Sequence, residues 1–192
     1  MNLKIGILIK KDVKIILGAA LTSQKGWFSS NEEWLDISNP LHWQRLFSNK
    51  RNLSNAVAEH VFEHLTVKEM ERALFLIHKY LIKQGTLRIA VPDGNHPDRE
   101  YRENTGIKGI GPDAKDHKQF IKYEFIKELL ESKGFKCKLI EGFLSDGKLV
   151  NNKLKIDLGF INRSRSNKKF IFPKEWNFKD SNTSLIIDAT KL

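Results

Sequence analysis

A chain of 192 residues, 40% of them hydrophobic, is long enough to bury one core and too apolar and too complex to be read as disordered. The formal net charge of +10 fits an anionic partner or simple solubility, but the basic residues are spread out, with local excesses only at Lys10-Lys11, Lys50-Arg51 and Arg163 to Lys169, and none forms the aromatic-interleaved motif of a nucleic-acid module. No apolar run nears the roughly 20 residues of a membrane span and Ile5 to Ile9 is too short for a signal-peptide core, so one cytoplasmic domain over 1–192 is expected. The single cysteine, Cys137, excludes an internal disulfide and a cysteine-built zinc site, and reads as a small core residue on a strand.

In chain order, Ile5 to Ile9 reads as a strand or hairpin arm, and Val13 to Leu17 as a β-branched strand ending in the small-residue turn Gly18-Ala19-Ala20. Thr22 to Lys25 is too short for a crossover helix before Gly26-Trp27-Phe28, so the first crossover is abbreviated. Pro40 to Phe47, opened by Asn39, has helical spacing at Leu41, Arg45 and Leu46. Asn55 to Ala58 is a strand running into Glu59-His60-Val61-Phe62-Glu63-His64-Leu65. Thr66 and Glu69 then spell a capping box, and Val67, Met70, Leu74, Ile77 and Leu81 form one apolar stripe that Gly85 is expected to stop.

Thr86 to Val91 is the next strand, halted at Pro92-Asp93-Gly94. Asn95 to Lys118 shows no periodicity and reads as one long loop carrying Tyr101, Asp116 and His117, a length that marks function or disorder. A helix over Gln119 to Lys133 precedes Phe135, Cys137 and Leu139, which alternate with lysines as in a half-buried strand. Gly142 to Ser181 is irregular and basic with a candidate strand at Lys155 to Asn162, and Ser184 to Ala189 is the last strand. Alternating strands and helices followed by terminal strands give an α/β fold with a mostly parallel sheet, whose ligand crevice lies at the strand carboxyl ends. Gly18 to Ala20, Asn31 to Glu33, Glu59-His60 and Asp93 are expected along that crevice.

Ile16-Leu17-Gly18-Ala19-Ala20, Gly26-Trp27, Leu35-Asp36-Ile37, Ala58 to Leu65, Arg88 to Asp93, Asp116-His117 and Ser184 to Asp188 together resemble, by order and spacing, the class I S-adenosylmethionine-dependent methyltransferases of the short bacterial kind. The resemblance spans about residues 13 to 190. It implies a Rossmann-like methyltransferase fold with an antiparallel last strand, S-adenosylmethionine as cofactor, and a small-molecule or glycan-like methyl acceptor. It also implies cofactor contacts from Gly18, Ala19, Ala20, Asn31, Glu32, Glu59 and His60. The chain departs from the family pattern at Ala20, which takes the place of a second glycine, and at Asn31, which takes the place of an acid that accepts from the ribose hydroxyls.

Methyl transfer from a sulfonium is an in-line displacement that needs alignment and water exclusion, and a base only where the nucleophile loses a proton early. His60, His117 and Asp93 are the candidate catalytic groups, with His64, Tyr101 and Asp116 on the substrate side. Two other readings compete. One is a binding module of the same fold that has lost catalysis and takes an anionic ligand or RNA; separately, the tryptophans Trp27, Trp34, Trp43 and Trp176 read as core or rim packing before stacking surfaces for a base or sugar. The other is a zinc hydrolase, since His60-Val61-Phe62-Glu63-His64 spells H-x-x-E-H and Glu124, Glu128 or Glu131 is available as a third ligand. That motif needs both histidines on one helix, whereas the capping box starts the helix after His64, so no metal is assigned.

Overall fold

The computed structural model describes residues 3–111, 114–167 and 183–192. Among these, seven strands form one sheet: β1 (Val13–Leu17), β2 (Phe28–Ser30), β3 (Leu53–Glu59), β4 (Leu81–Val91), β5 (Phe135–Phe143), β6 (Leu149–Asn151) and β7 (Leu185–Lys191), in the order β2-β1-β3-β4-β7-β5-β6. β1 pairs in parallel with β2 and β3, and β3 with β4, whereas β7 lies antiparallel between β4 and β5 and β6 folds back antiparallel on β5. This is the Rossmann-like sheet with an antiparallel last strand, and no helix separates β1 from β2.

Among the described residues, five helices accompany it: α1 (Leu3–Ile9), α2 (Pro40–Phe47), α3 (Val67–Tyr80), α4 (Arg99–Thr105) and α5 (Tyr123–Ser132). The period-two alternation of the strands sorts side chains between two faces. Ala56, Ala58, Leu87, Ile89, Val91, Leu185, Ile187 and Ala189 join the main core, which also takes Met70, Ala73, Leu74 and Ile77 of α3, Trp43 and Phe47 of α2 and Ile126 and Leu130 of α5. Val57, Ala90 and Ile186 point the other way, into a smaller cluster closed by Leu154 and Ile161.

That second face is covered by irregular chain, and a buried ion pair ties the cover down. Arg88 and Asp188 are cross-strand partners on β4 and β7, and the fully buried guanidinium donates from Nε to Oδ1 at 2.6 Å and from Nη2 to Oδ2 at 2.8 Å. Its Nη1 donates to the carbonyls of Lys155 and Gly159. Gly159 sits at φ +116°, where a Cβ would fall 2.0 Å from Val57 Cγ2, so only glycine lets the covering segment approach this closely.

Four expected elements differ. Ile5 to Ile9 is part of helix α1, packed on α2, and not a strand. Helix α3 ends at Tyr80, so Gly85 is no helix stop; it lies inside β4, which starts at Leu81, and Gln84 takes the positive φ of 63°. The long loop contains α4, capped by Asp98, whose carboxylate accepts from Tyr101 N at 3.2 Å, and a 3-10 turn at Ala114–Asp116. Lys155 to Asn162 holds a 3-10 turn, Ile156–Leu158, and no strand. Trp176 and Lys168-Lys169 lie outside the described residues.

Candidate functional site

β1, β2 and β3 run parallel, so their carboxyl ends open on one edge of the sheet, and a cleft of about 800 Å³ lies there. Gly18 lines it after β1, Glu32, Leu35 and Asp36 after β2, and His60, Val61 and His64 after β3; Lys108, Lys115, Asp116, His117 and Lys118 close it from the loop between α4 and α5. This volume falls within the range of small-molecule sites. Acidic groups stand on the β2 side and three lysines on the far lip, where Lys118 also meets Glu69 at 3.4 Å.

Gly18 takes φ +60°, and a Cβ there would fall 2.6 Å from Val61 Cγ2, so glycine holds the β1 and β3 ends together at the mouth. Ala20 adopts φ 46°, a left-handed conformation uncommon outside glycine, and its N–H donates to Asn31 Oδ1 at 2.8 Å. The Asn31 side chain thus pins the first loop. Glu32, next in sequence, is the polar residue of that segment that reaches the cleft, whereas Ala19, Ala20 and Asn31 do not line it.

The turn after β3 carries the densest chemistry. His60 sits at φ 54°, with its N–H donated to the Ala90 carbonyl at 2.8 Å, and this kink sends the chain into the 3-10 turn Phe62–His64. Both its ring nitrogens have neighbours: Nε2 lies 3.2 Å from Ser184 Oγ, and Nδ1 lies 2.9 Å from Glu63 Oε1 and 3.4 Å from Arg163 Nη1. Glu63 is 0% exposed; beyond the His60 contact on Oε1, its Oε2 has no hydrogen-bond partner among the described residues. Burial pushes its carboxyl up, but the neighbouring His60 and His64 outweigh this and hold it below the ordinary value.

His117 is buried against the same turn, its ring edge-on to His64 with centroids 4.8 Å apart. Its Nδ1 lies 2.8 Å from the Thr105 carbonyl, which only accepts, so Nδ1 carries a proton and neutral His117 keeps the lone pair of Nε2. Burial lowers its pKa, favouring that neutral form. Glu63, His64 and His117 each offer a ligand atom within 4.8 Å of the other two.

Other expected residues lie elsewhere. The Glu59 carboxylate turns away from the cleft and accepts from Asn162 N at 3.0 Å and Arg163 N at 2.7 Å. Asp93 is 0% exposed and not in the cleft wall; Oδ1 accepts from Asn95 N at 3.0 Å and Oδ2 from Phe143 N at 2.7 Å, and burial raises its pKa. Tyr101 supports it, its hydroxyl accepting from Asp93 N at 2.9 Å and its ring stacked on His96. Glu124 binds Asn95 and Ser145, away from the H-x-x-E-H turn, and that turn is 3-10 and not α-helical, so the two-histidine helix of the hydrolase reading does not form. The three lip lysines and the buried state of Glu63 carry no sequence signal of their own; His117 was visible, but its meeting with Glu63 depends on the tertiary fold.

No family model matches the sequence, and no curated protein matches it. Solved structures do. A SAM-dependent methyltransferase from Archaeoglobus fulgidus is similar with a TM-score of 0.54 at 19% identity, over 97% of this chain and 89% of that one. A SAM-dependent methyltransferase from Thermotoga maritima, described as a possible histamine N-methyltransferase, is similar with a TM-score of 0.52 at 16% identity, over 98% and 86%. Sheet order, the antiparallel β7 and these likenesses agree: the chain has the Rossmann-like fold of the class I S-adenosylmethionine-dependent methyltransferases.

Proposed function

We propose that this chain is an S-adenosylmethionine-dependent methyltransferase acting on a small acceptor that bears hydroxyl or anionic groups, such as a glycan-like molecule. The observation that carries the reading is the cleft at the carboxyl ends of β1, β2 and β3, with Gly18 at its mouth, Glu32 on one side and an imidazole-rich turn on the other. Ligands of open α/β sheets bind at this edge. Glu32 is suited to accept from the ribose hydroxyls, the role a carboxylate performs with charge-assisted bonds. Gly18 keeps the β1 and β3 ends close at the mouth of the cleft, because a side chain there would collide with Val61.

The cofactor supplies the electrophilic methyl group. The protein has to hold the acceptor in line with it and keep water out. For an acceptor that sheds a proton, His117 Nε2 is the lone pair the geometry offers, because both nitrogens of His60 already have partners. Lys108, Lys115 and Lys118 on the far lip suit an acceptor with negative charge. Calorimetry with S-adenosylmethionine and S-adenosylhomocysteine tests the reading: both are expected to bind one per chain, and Glu32→Ala to weaken both by about tenfold, the worth of one charge-assisted bond. No binding at millimolar cofactor would sink it and favour a binding module, the more so if salt-sensitive RNA binding were found instead.

A further inference from the structure

We propose that Glu63, His64 and His117 bind one divalent transition-metal ion at the inner wall of the cleft. One ligand atom from each lies within 4.8 Å of the other two, close enough for small side-chain adjustments to place all three around one ion. A second observation is independent of that spacing. Glu63 is completely buried; His60 Nδ1 meets its Oε1 at 2.9 Å, and its Oε2 has no hydrogen-bond partner among the described residues. Buried carboxylates are normally satisfied by donors, and a metal ion is the other partner that satisfies one.

The histidines are prepared for the same partner. Donation from His117 Nδ1 to the Thr105 carbonyl at 2.8 Å fixes the tautomer and leaves Nε2 bare, the arrangement in which metal-bound imidazoles are held. The two ligand-bearing segments are also locked together, since the Glu63 carbonyl accepts from Lys118 N at 2.8 Å and Gln119 N at 3.1 Å. His60, 2.9 Å from Glu63 Oε1 and held at its far nitrogen by Ser184, is a positioning residue for the carboxylate. Its backbone is left-handed, φ 54°, a conformation uncommon for a side-chain-bearing residue.

Two imidazoles and one carboxylate, with no thiolate, suit zinc, iron(II), manganese(II) or cobalt(II). His64 and His117 both line the cleft, so the remaining coordination positions face the space where an acceptor would enter. The consequence for chemistry rests on the methyltransferase reading. Coordination makes an acceptor hydroxyl shed its proton to solvent more readily. Its oxygen then takes the methyl carbon as the carbon–sulfur pair stays on sulfur, leaving S-adenosylhomocysteine. His117 Nε2 cannot serve as both ligand and base, so the metal replaces it as the means of activating the acceptor.

The test uses the untagged full chain, stripped with a chelator and titrated with zinc and with cobalt(II). One equivalent is expected to bind at micromolar or lower Kd, with visible cobalt absorption of nitrogen and oxygen ligation. His64→Ala and His117→Ala are expected to lose it, and His60→Ala to weaken it by about tenfold, as an outer-shell change does. His64 is only partly buried, so His64→Ala together with the wild-type titration decides the matter even if His117→Ala does not fold. Wild-type chain that binds no metal at 100-fold above micromolar, roughly 0.1 mM, or binding left intact in His64→Ala, overturns the site. S-adenosylhomocysteine is titrated separately into metal-free chain: its failure to bind removes the methyltransferase reading and leaves the metal result standing, and the reverse outcome does the opposite.

Discussion

Two sets of carboxylates sit on or just after the strands, and they are treated in opposite ways. On the far side, Glu141 is 1% exposed and accepts from Ser164 Oγ at 2.8 Å, Arg165 N at 3.0 Å, Thr183 Oγ1 at 3.2 Å and Ser184 N at 3.2 Å. Glu59 likewise gathers the amides of Asn162 and Arg163. These groups hold down the segment after β6. On the cleft side, Glu63 is buried as deeply but meets only the His60 ring, through Oε1, and its Oε2 has no hydrogen-bond partner among the described residues. A carboxylate filled by backbone donors has a structural task, whereas one left bare among imidazoles is shaped for something that arrives from outside.

The sharpest way to break this contrast is to remove the far carboxylate. Glu141→Met leaves buried hydroxyl and amide donors without an acceptor and is expected to cost about 3 to 5 kcal/mol in urea unfolding. A loss under about 1 kcal/mol would erase the distinction. The matching change on the cleft side, Glu63→Met in metal-free chain, replaces a buried carboxylate met only by the His60 ring with an apolar group of similar size and is expected to cost no more than about 2 kcal/mol. Equal losses at the two positions would show that Glu63 has a structural task like that of Glu141.

The smallest expected effect is a pH dependence on the far side. His96, stacked on Tyr101 and edge-on to Phe143, has its pKa lowered first by burial and then by Arg165. A depressed histidine folds best neutral, so its contribution is complete above the unfolded value near 6.5 and is lost as pH falls from there through the lower folded value. The thermal midpoint should therefore drop between about pH 7 and pH 5, and His96→Asn should flatten part of that limb. His78 and His117, also lowered first by burial, act in the same direction. An unchanged slope in His96→Asn would remove His96 from this role.

What the sequence made legible follows from the range of the forces involved. The start of α3 was readable because the Thr66–Glu69 capping box and the apolar stripe are local, and both are present. So were β1, α2 and the missing first crossover helix, each set by a short run of residues. α4 was not, because Arg99 to Thr105 is polar and short, with only Asp98 as a start signal. α1 was mistaken for a strand, since seven mostly apolar residues fit either period and contact with α2 decides. At the site, the H-x-x-E-H turn was visible as residues, but its role was not: no local rule brings His117 onto it, turns Glu59 away from the cleft, or sinks Asp93 behind the wall. Arg88 reads in the sequence only as part of a strand, and its pairing with Asp188 joins residues 100 positions apart.

The placement of β7 between β4 and β5 has a consequence for how the chain is made. Until residues 185–191 leave the ribosome, β5 and β6 have no edge of the sheet to join, because β7 alone bridges them to β4. The earlier strands can assemble around α3 during synthesis, but their β4 edge stays open meanwhile, and an exposed edge invites pairing with another chain. The buried Arg88 on that edge waits for Asp188 through the same interval. Assembly should thus be slow at one late step, the docking of β7, and the nascent chain most prone to aggregate just before it.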